Sequence, residues 1–156
     1  MIASVHFATG AASALLVQEL LPKKYDWQYD VGKRYVFGFA AGVVSHVLFD
    51  AVPHTEYTVE GEALLSLLFV EAALMMVFLL GVVNPVVSQL LAWGYLGGAL
   101  PDVLGMAGRK LGWAVLTWPY EVLHITHDIA EPLFAGFWMQ ITIAAACVIY
   151  VRIRAA

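Results

Sequence analysis

Residues 62–83 read Glu62-Ala-Leu-Leu-Ser-Leu-Leu-Phe-Val-Glu71-Ala-Ala-Leu-Met-Met-Val-Phe-Leu-Leu-Gly-Val-Val83. Between Ala63 and Val83 the only charged residue is Glu71. A helix needs about 20 mainly apolar residues to cross the hydrocarbon of a bilayer, and this run supplies them. Working outward, four further apolar stretches of similar length occupy 2–21, 35–52, 86–104 and 132–151. They are separated by a polar loop (22–34), a short acidic loop (53–61), an Asn84-Pro85 turn and a longer segment, 105–131. Within that segment Thr117-Trp118-Pro119 reads as a helix start, because proline suits a first turn. The helical run 120–131 then stops at Pro132. The expectation is an all-α chain: one transmembrane helical domain over 1–156, a polytopic bundle of about five membrane helices with a shorter outer helix.

Composition agrees. Of 156 residues, 62% are apolar and 13% charged, and the mean hydropathy is +0.79. A soluble domain carries about 25% charged residues, so this chain has too little polar surface to cover a water-exposed globule. The net charge of −4 argues against a nucleic-acid partner. A disulfide scaffold is excluded, since Cys147 is the only cysteine. The first basic residues, Lys23 and Lys24, follow the first apolar stretch, which makes that stretch a permanent span rather than a cleavable signal. Gly38 and Gly42, then Gly94, Gly97 and Gly98, are small residues of the kind that let membrane helices approach closely. They suit a homo-oligomer or tight packing within one chain.

Lys and Arg concentrate on the cytoplasmic side of membrane proteins. Five spans put Lys23, Lys24, Lys33, Arg34, Arg152 and Arg154 on one face and only Arg109 and Lys110 on the other. The expected orientation in the cell membrane therefore has the N-terminus outside. All five histidines, His6, His46, His54, His124 and His127, then fall towards the extracytoplasmic side, although they played no part in setting the topology.

Their spacing suits a metal. His46 and Asp50 are an i,i+4 pair on one helix face, and Pro53 breaks the helix so that His54 can turn back towards them. Asp102 closes the outer end of the fourth span. His124 neighbours His127 and Asp128 at i+3 and i+4, with Glu121 and Glu131 within a turn. Imidazole and carboxylate are ligands of catalytic zinc, and of manganese and iron as well. Carboxylates such as Asp50 and Asp102 are expensive in hydrocarbon and are functional candidates by default. Glu71 reads equally as a partner orienting a ligand histidine and as a plain helix–helix hydrogen bond.

The same residues carry a family likeness. His6-Phe-Ala-Thr-Gly10, Ser45-His46-Val-Leu-Phe-Asp50-Ala-Val-Pro53-His54, Gly97-Gly-Ala-Leu-Pro101-Asp102 and His124-Ile-Thr126-His127 resemble blocks of the YdjM-like family of small membrane-bound, metal-dependent hydrolases. The chain departs from that pattern at Leu104, where the family often has a second aspartate, and at Asp128, where it often has serine. The resemblance implies a helical membrane fold with a His/Asp metal centre and a hydrolase activity.

The functional expectation is a hydrolase using a divalent metal, zinc first and manganese or iron as alternatives, on a phosphorylated or ester-linked membrane lipid. His46, Asp50, Asp102, His124 and His127 are the first candidates for ligands, with His6 and His54 next, as ligands or proton shuttles. Asp128 or Glu121 would serve as general base. Two alternatives stand beside it: a non-catalytic membrane protein whose His/Asp cluster is structural, and a small ion transporter.

Overall fold

The computed structural model describes residues 3–20, 31–52, 61–80, 85–123 and 133–155. Among them the chain is wholly helical: α1 (Ala3–Leu20), α2 (Val31–Asp50), α3 (Gly61–Leu80), α4 (Pro85–Leu111), α5 (Ala114–Leu123) and α6 (Leu133–Ala155). The expected helical bundle is present. Three of its helices are long and apolar enough to cross a membrane: Gly61–Leu79, Pro85–Leu111 and Gly136–Ala155. The outer surface accounts for that composition. Phe69, Val77 and Ile153 are 75%, 65% and 71% exposed, and many other large apolar side chains join them. Water does not tolerate apolar surface on this scale, whereas lipid does.

α1 and α2, the other two expected crossings, are not among those three helices. Their polar residues are turned inward instead: His6 and Thr9 on α1, and Arg34, Ser45, His46 and Asp50 on α2, are all buried. α1 is largely enclosed by protein and has less need of an apolar circumference, whereas α2 keeps an exposed apolar face of Val36, Phe37, Val44 and Leu48.

The centre of the molecule is the junction of α1, α2 and α4, and glycine makes it. A Cβ at Gly10 would fall on the carbonyl oxygen of Gly94, one at Gly42 on the same oxygen, and one at Gly98 on the carbonyl oxygen of His6. Three backbones thus meet without side chains between them, which favours dense van der Waals contact in lipid. These contacts also set the directions. Moving from His6 to Gly10 along α1 corresponds to moving from Gly98 back to Gly94 along α4, so the two run antiparallel. Gly38 faces Leu90 while Gly42 faces Gly94, so α2 and α4 run parallel. α6 runs with α1: Ala144 packs with Val5 and Ala8, and Arg154 reaches Glu19 at 2.7 Å.

α4 continues well past Leu104, where the sequence reading ends its fourth span. Pro101 lies inside it and removes one backbone hydrogen bond without ending the helix. The stop comes at Gly112, whose φ of 67° is the left-handed conformation of a helix C-cap. The amide of Trp113 then bonds the carbonyl of Gly108 at 2.9 Å, the long-range bond of a Schellman motif. The carbonyl of Trp113 accepts from Leu116 and Thr117, which starts α5 at Ala114, three residues before the expected Thr117-Trp118-Pro119 start. α2 ends where expected, with a tightened last turn from the Val52 amide to the Phe49 carbonyl, just before Pro53 disfavours helix.

Candidate metal centre

His6, His46 and Asp102 each sit one turn from a junction glycine: His6 before Gly10, His46 after Gly42, Asp102 after Gly98. Because α1 runs against α2 and α4, all three steps lead to the same end of the junction. The glycine contacts therefore deliver three chemically active side chains to one point. His6 Nε2 lies 3.9 Å from Asp102 Oδ2, and His46 Nε2 lies 3.8 Å from Asp102 Oδ1. The two imidazoles stack with centroids 4.0 Å apart and planes at 27°. One ligand atom from each of the three residues lies within 4.8 Å of the others. Asp50 joins from α2, with Oδ1 3.9 Å from His6 Nε2.

The tautomer of His46 follows from one hydrogen bond. Its Nδ1 is 2.9 Å from the carbonyl oxygen of Gly98. A carbonyl only accepts, so Nδ1 carries the proton and donates. In the neutral ring Nε2 then presents its lone pair towards Asp102. This is the arrangement seen in metal-bound histidines, whose second nitrogen donates to a carbonyl or carboxylate.

The donor set fits a divalent cation. The His46 Nε2 atom is buried and makes no hydrogen bond among the described residues. Its 3.8 Å separation from Asp102 is too long for a hydrogen bond, which ends near about 3.2 Å. Two atoms each about 2.0–2.2 Å from a shared ion can stand up to about 4 Å apart. Two histidines and a carboxylate also match the three-ligand set of catalytic zinc sites, which keep a further position for water. Access is one-sided. His6 and His46 are 1% and 0% exposed, and the Asp102 side chain is 30% exposed, so the approach is past Asp102.

The sequence-predicted residues divide clearly. His6, His46 and Asp102 are gathered, and Asp50 lies beside them, fully buried. Glu121 is exposed on α5 and is not part of the group found among the described residues. His54, His124, His127 and Asp128 lie outside the described residues. Glu71 accepts a hydrogen bond from the Ser4 amide at 2.9 Å, tying α3 to the first turn of α1, as the helix–helix reading of that residue expects.

Two buried polar residues escape the sequence reading. Gln140 is fully buried in α6, one turn from the Ala144 that packs on Val5 and Ala8. Its signal was an uncharged amide inside an otherwise apolar span. Arg34, which the sequence places in a loop, is buried in the first turns of α2, at the end of that helix away from His46.

No protein-family model matches this chain, and comparison with the curated proteins and with the solved structures returns no match for it.

Proposed function

We propose that the chain is a membrane-embedded, metal-dependent hydrolase acting on a phosphorylated or ester-linked lipid at the extracytoplasmic face. The observation that carries this reading is His46: the Gly98 carbonyl fixes its proton on Nδ1, leaving a buried Nε2 lone pair facing Asp102 beside His6. His6, His46 and Asp102 would hold the ion, with Asp50 against His6 as a fourth carboxylate or an outer support. A divalent metal, zinc first and manganese or iron as alternatives, supplies a water of lowered pKa and positive charge for the transition state. The chain's own part is to hold two imidazoles and a carboxylate in place, and to admit ligand past Asp102, the most exposed of the three.

The charge distribution supports this orientation. Arg152 and Arg154 bind Phe78 and Glu19 near the C-terminal ends of α3 and α1, the end away from His6. With Lys33 and Arg34 at the start of α2, they favour that end as the cytoplasmic one. The position of the group near an end of the bundle, where headgroups are met first, supports a lipid substrate.

One observation favours a second reading. The group sits on the tightest helix junction of the molecule, where an ion would also clamp α1, α2 and α4 together without catalysis. Elemental analysis of detergent-purified protein, beside a His46→Ala/Asp102→Ala double variant, tests both. The proposal expects near-stoichiometric metal in the parent protein, lost in a still-folded variant, with phosphate or fatty-acid release from lipid lost alongside it. Metal without any lipid cleavage leaves the clamp. Protein free of metal after reconstitution without chelators overturns the hydrolase.

A further inference from the structure

Arg109 and Lys110 stand against the charge asymmetry of the bundle. The other basic residues described, Lys33, Arg34, Arg152 and Arg154, lie in the first turn of α2 and the last turn of α6. Arg109 and Lys110 occupy the last turn of α4, at the end that carries His6, His46 and Asp102, and both are exposed.

Their register is specific. Arg109 is seven residues beyond Asp102 and Lys110 eight, which returns both to the Asp102 side of α4 after two turns. The rise is about 10–12 Å. α1 begins at Ala3, within a turn of His6, and α2 ends at Asp50, a turn beyond His46. Among the described residues of these three helices α4 extends furthest, so its last turn lies beyond the described ends of α1 and α2 on the side of the candidate centre. Asp102 is the exposed member of the three, at 30%. A ligand arriving past Asp102 therefore arrives alongside Arg109 and Lys110.

Depth is set by the residues that follow. Trp113 and Trp118 are 57% and 65% exposed, directly after the two cations. Exposed indoles at a helix end favour the membrane–water interface, the level of lipid headgroups. A guanidinium and an ammonium at that level attract an anion, and both pair well with phosphate oxygens. Last-turn cations also complement the dipole of α4, which explains a charge there but not its register with Asp102.

We infer that Arg109 and Lys110 are the headgroup-binding part of the site, and that the ligand it selects is a phosphate-bearing anion rather than a neutral ester. The inference rests on the proposed function and narrows it: of the two substrate classes, the phosphorylated one is meant.

The test is equilibrium binding to the full-length protein in detergent, loaded with zinc. The probes are dihexanoyl phosphatidic acid, the neutral ester dihexanoylglycerol and inorganic phosphate, against the parent protein and R109Q/K110Q. Phosphatidic acid is expected to bind the parent about 30-fold more tightly than dihexanoylglycerol, the factor that two interfacial cations give at roughly 1 kcal/mol each. R109Q/K110Q should lose that preference while taking up zinc as the parent does. Inorganic phosphate competing at equal concentration, also dependent on the two cations, supports phosphate recognition and makes the free anion its source. Equal binding of the two lipids by the parent, or an unchanged preference in R109Q/K110Q, overturns the inference. Failure of the parent to take up zinc instead overturns the proposed function, so the two failures are read separately.

Discussion

Nδ1 of His46 lies 2.9 Å from the carbonyl oxygen of Gly98, so one helix of the junction decides which nitrogen of another helix is free to bind a cation. The bond depends on Gly98 having no side chain, because a Cβ there would meet the carbonyl of His6. Packing and chemistry are thus linked at a single residue. The backbone approach that brings α1 against α4 also brings the Gly98 carbonyl within reach of α2. Each of the following expectations tests one part of that linkage.

His46→Asn separates the two roles of the imidazole. Asparagine places an amide N–H near the position of Nδ1 and can keep the bond to Gly98, but has nothing where Nε2 was. Its metal-free form is expected to unfold at nearly the midpoint of the metal-free parent while zinc affinity falls more than about 100-fold, beyond the usual cost of losing a supporting group. His46→Ala loses both functions and serves for comparison. Parent-like zinc titration of His46→Asn would remove His46 from the ligand set.

Metal removal gives the same site a stability readout. A ligand at one hundred times its dissociation constant stabilises the folded state by about 2.7 kcal/mol. Dialysis against a chelator is expected to lower the unfolding midpoint of the parent protein, and added zinc to restore it. In Asp102→Asn both shifts should be small, because the carboxylate that faces both histidines has become a neutral amide. A midpoint indifferent to chelator and zinc in the parent would mean that the group holds its residues together by polar contacts alone.

Gly98→Ala tests the junction itself. The added methyl would overlap the carbonyl oxygen of His6, a backbone atom that cannot rotate away. Overpacking of a tight interior costs about 1–3 kcal/mol, and here it also separates His6 from Asp102. Loss of both stability and zinc affinity is expected, measured by thermal unfolding and metal titration of the same preparation. A variant as stable as the parent would show that α1 and α4 do not approach this closely.

Much of this was legible in the sequence. The His46–Asp50 spacing and the Gly94-Gly97-Gly98 cluster carry their own helical arithmetic: His46 and Asp50 are both buried, and the three glycines meet the backbones of α1 and α2. His6 was ranked below His124 and His127 because nothing along α1 announces which way its histidine faces. Its place beside His46 comes from Gly10 meeting Gly94, a contact between segments far apart in sequence. The extent of α4 was hidden for a different reason. Pro101, Asp102 and the glycines after them look like a helix end, and only the positive φ of Gly112 marks where the helix stops. The apolar composition of α3, by contrast, was legible because lipid leaves almost no other explanation for it.

Gln140 provides the last expectation, and it comes from what the sequence concealed. Its side chain is fully buried in α6, a helix whose described span is otherwise apolar enough to cross a membrane. Such an amide is retained against its cost in hydrocarbon only where it is hydrogen-bonded. Gln140→Leu keeps the volume and removes that bonding, leaving its partner without it. A loss of about 1–3 kcal/mol is expected, measured by thermal or denaturant unfolding in detergent. Val5, on which Ala144 packs one turn further along α6, is next to His6, so zinc affinity should fall as well if α6 shifts. Gln140→Glu, which preserves an acceptor oxygen at the same reach, should recover part of the stability. A Gln140→Leu protein as stable as the parent would show instead that the Gln140 amide contributes nothing net to holding α6.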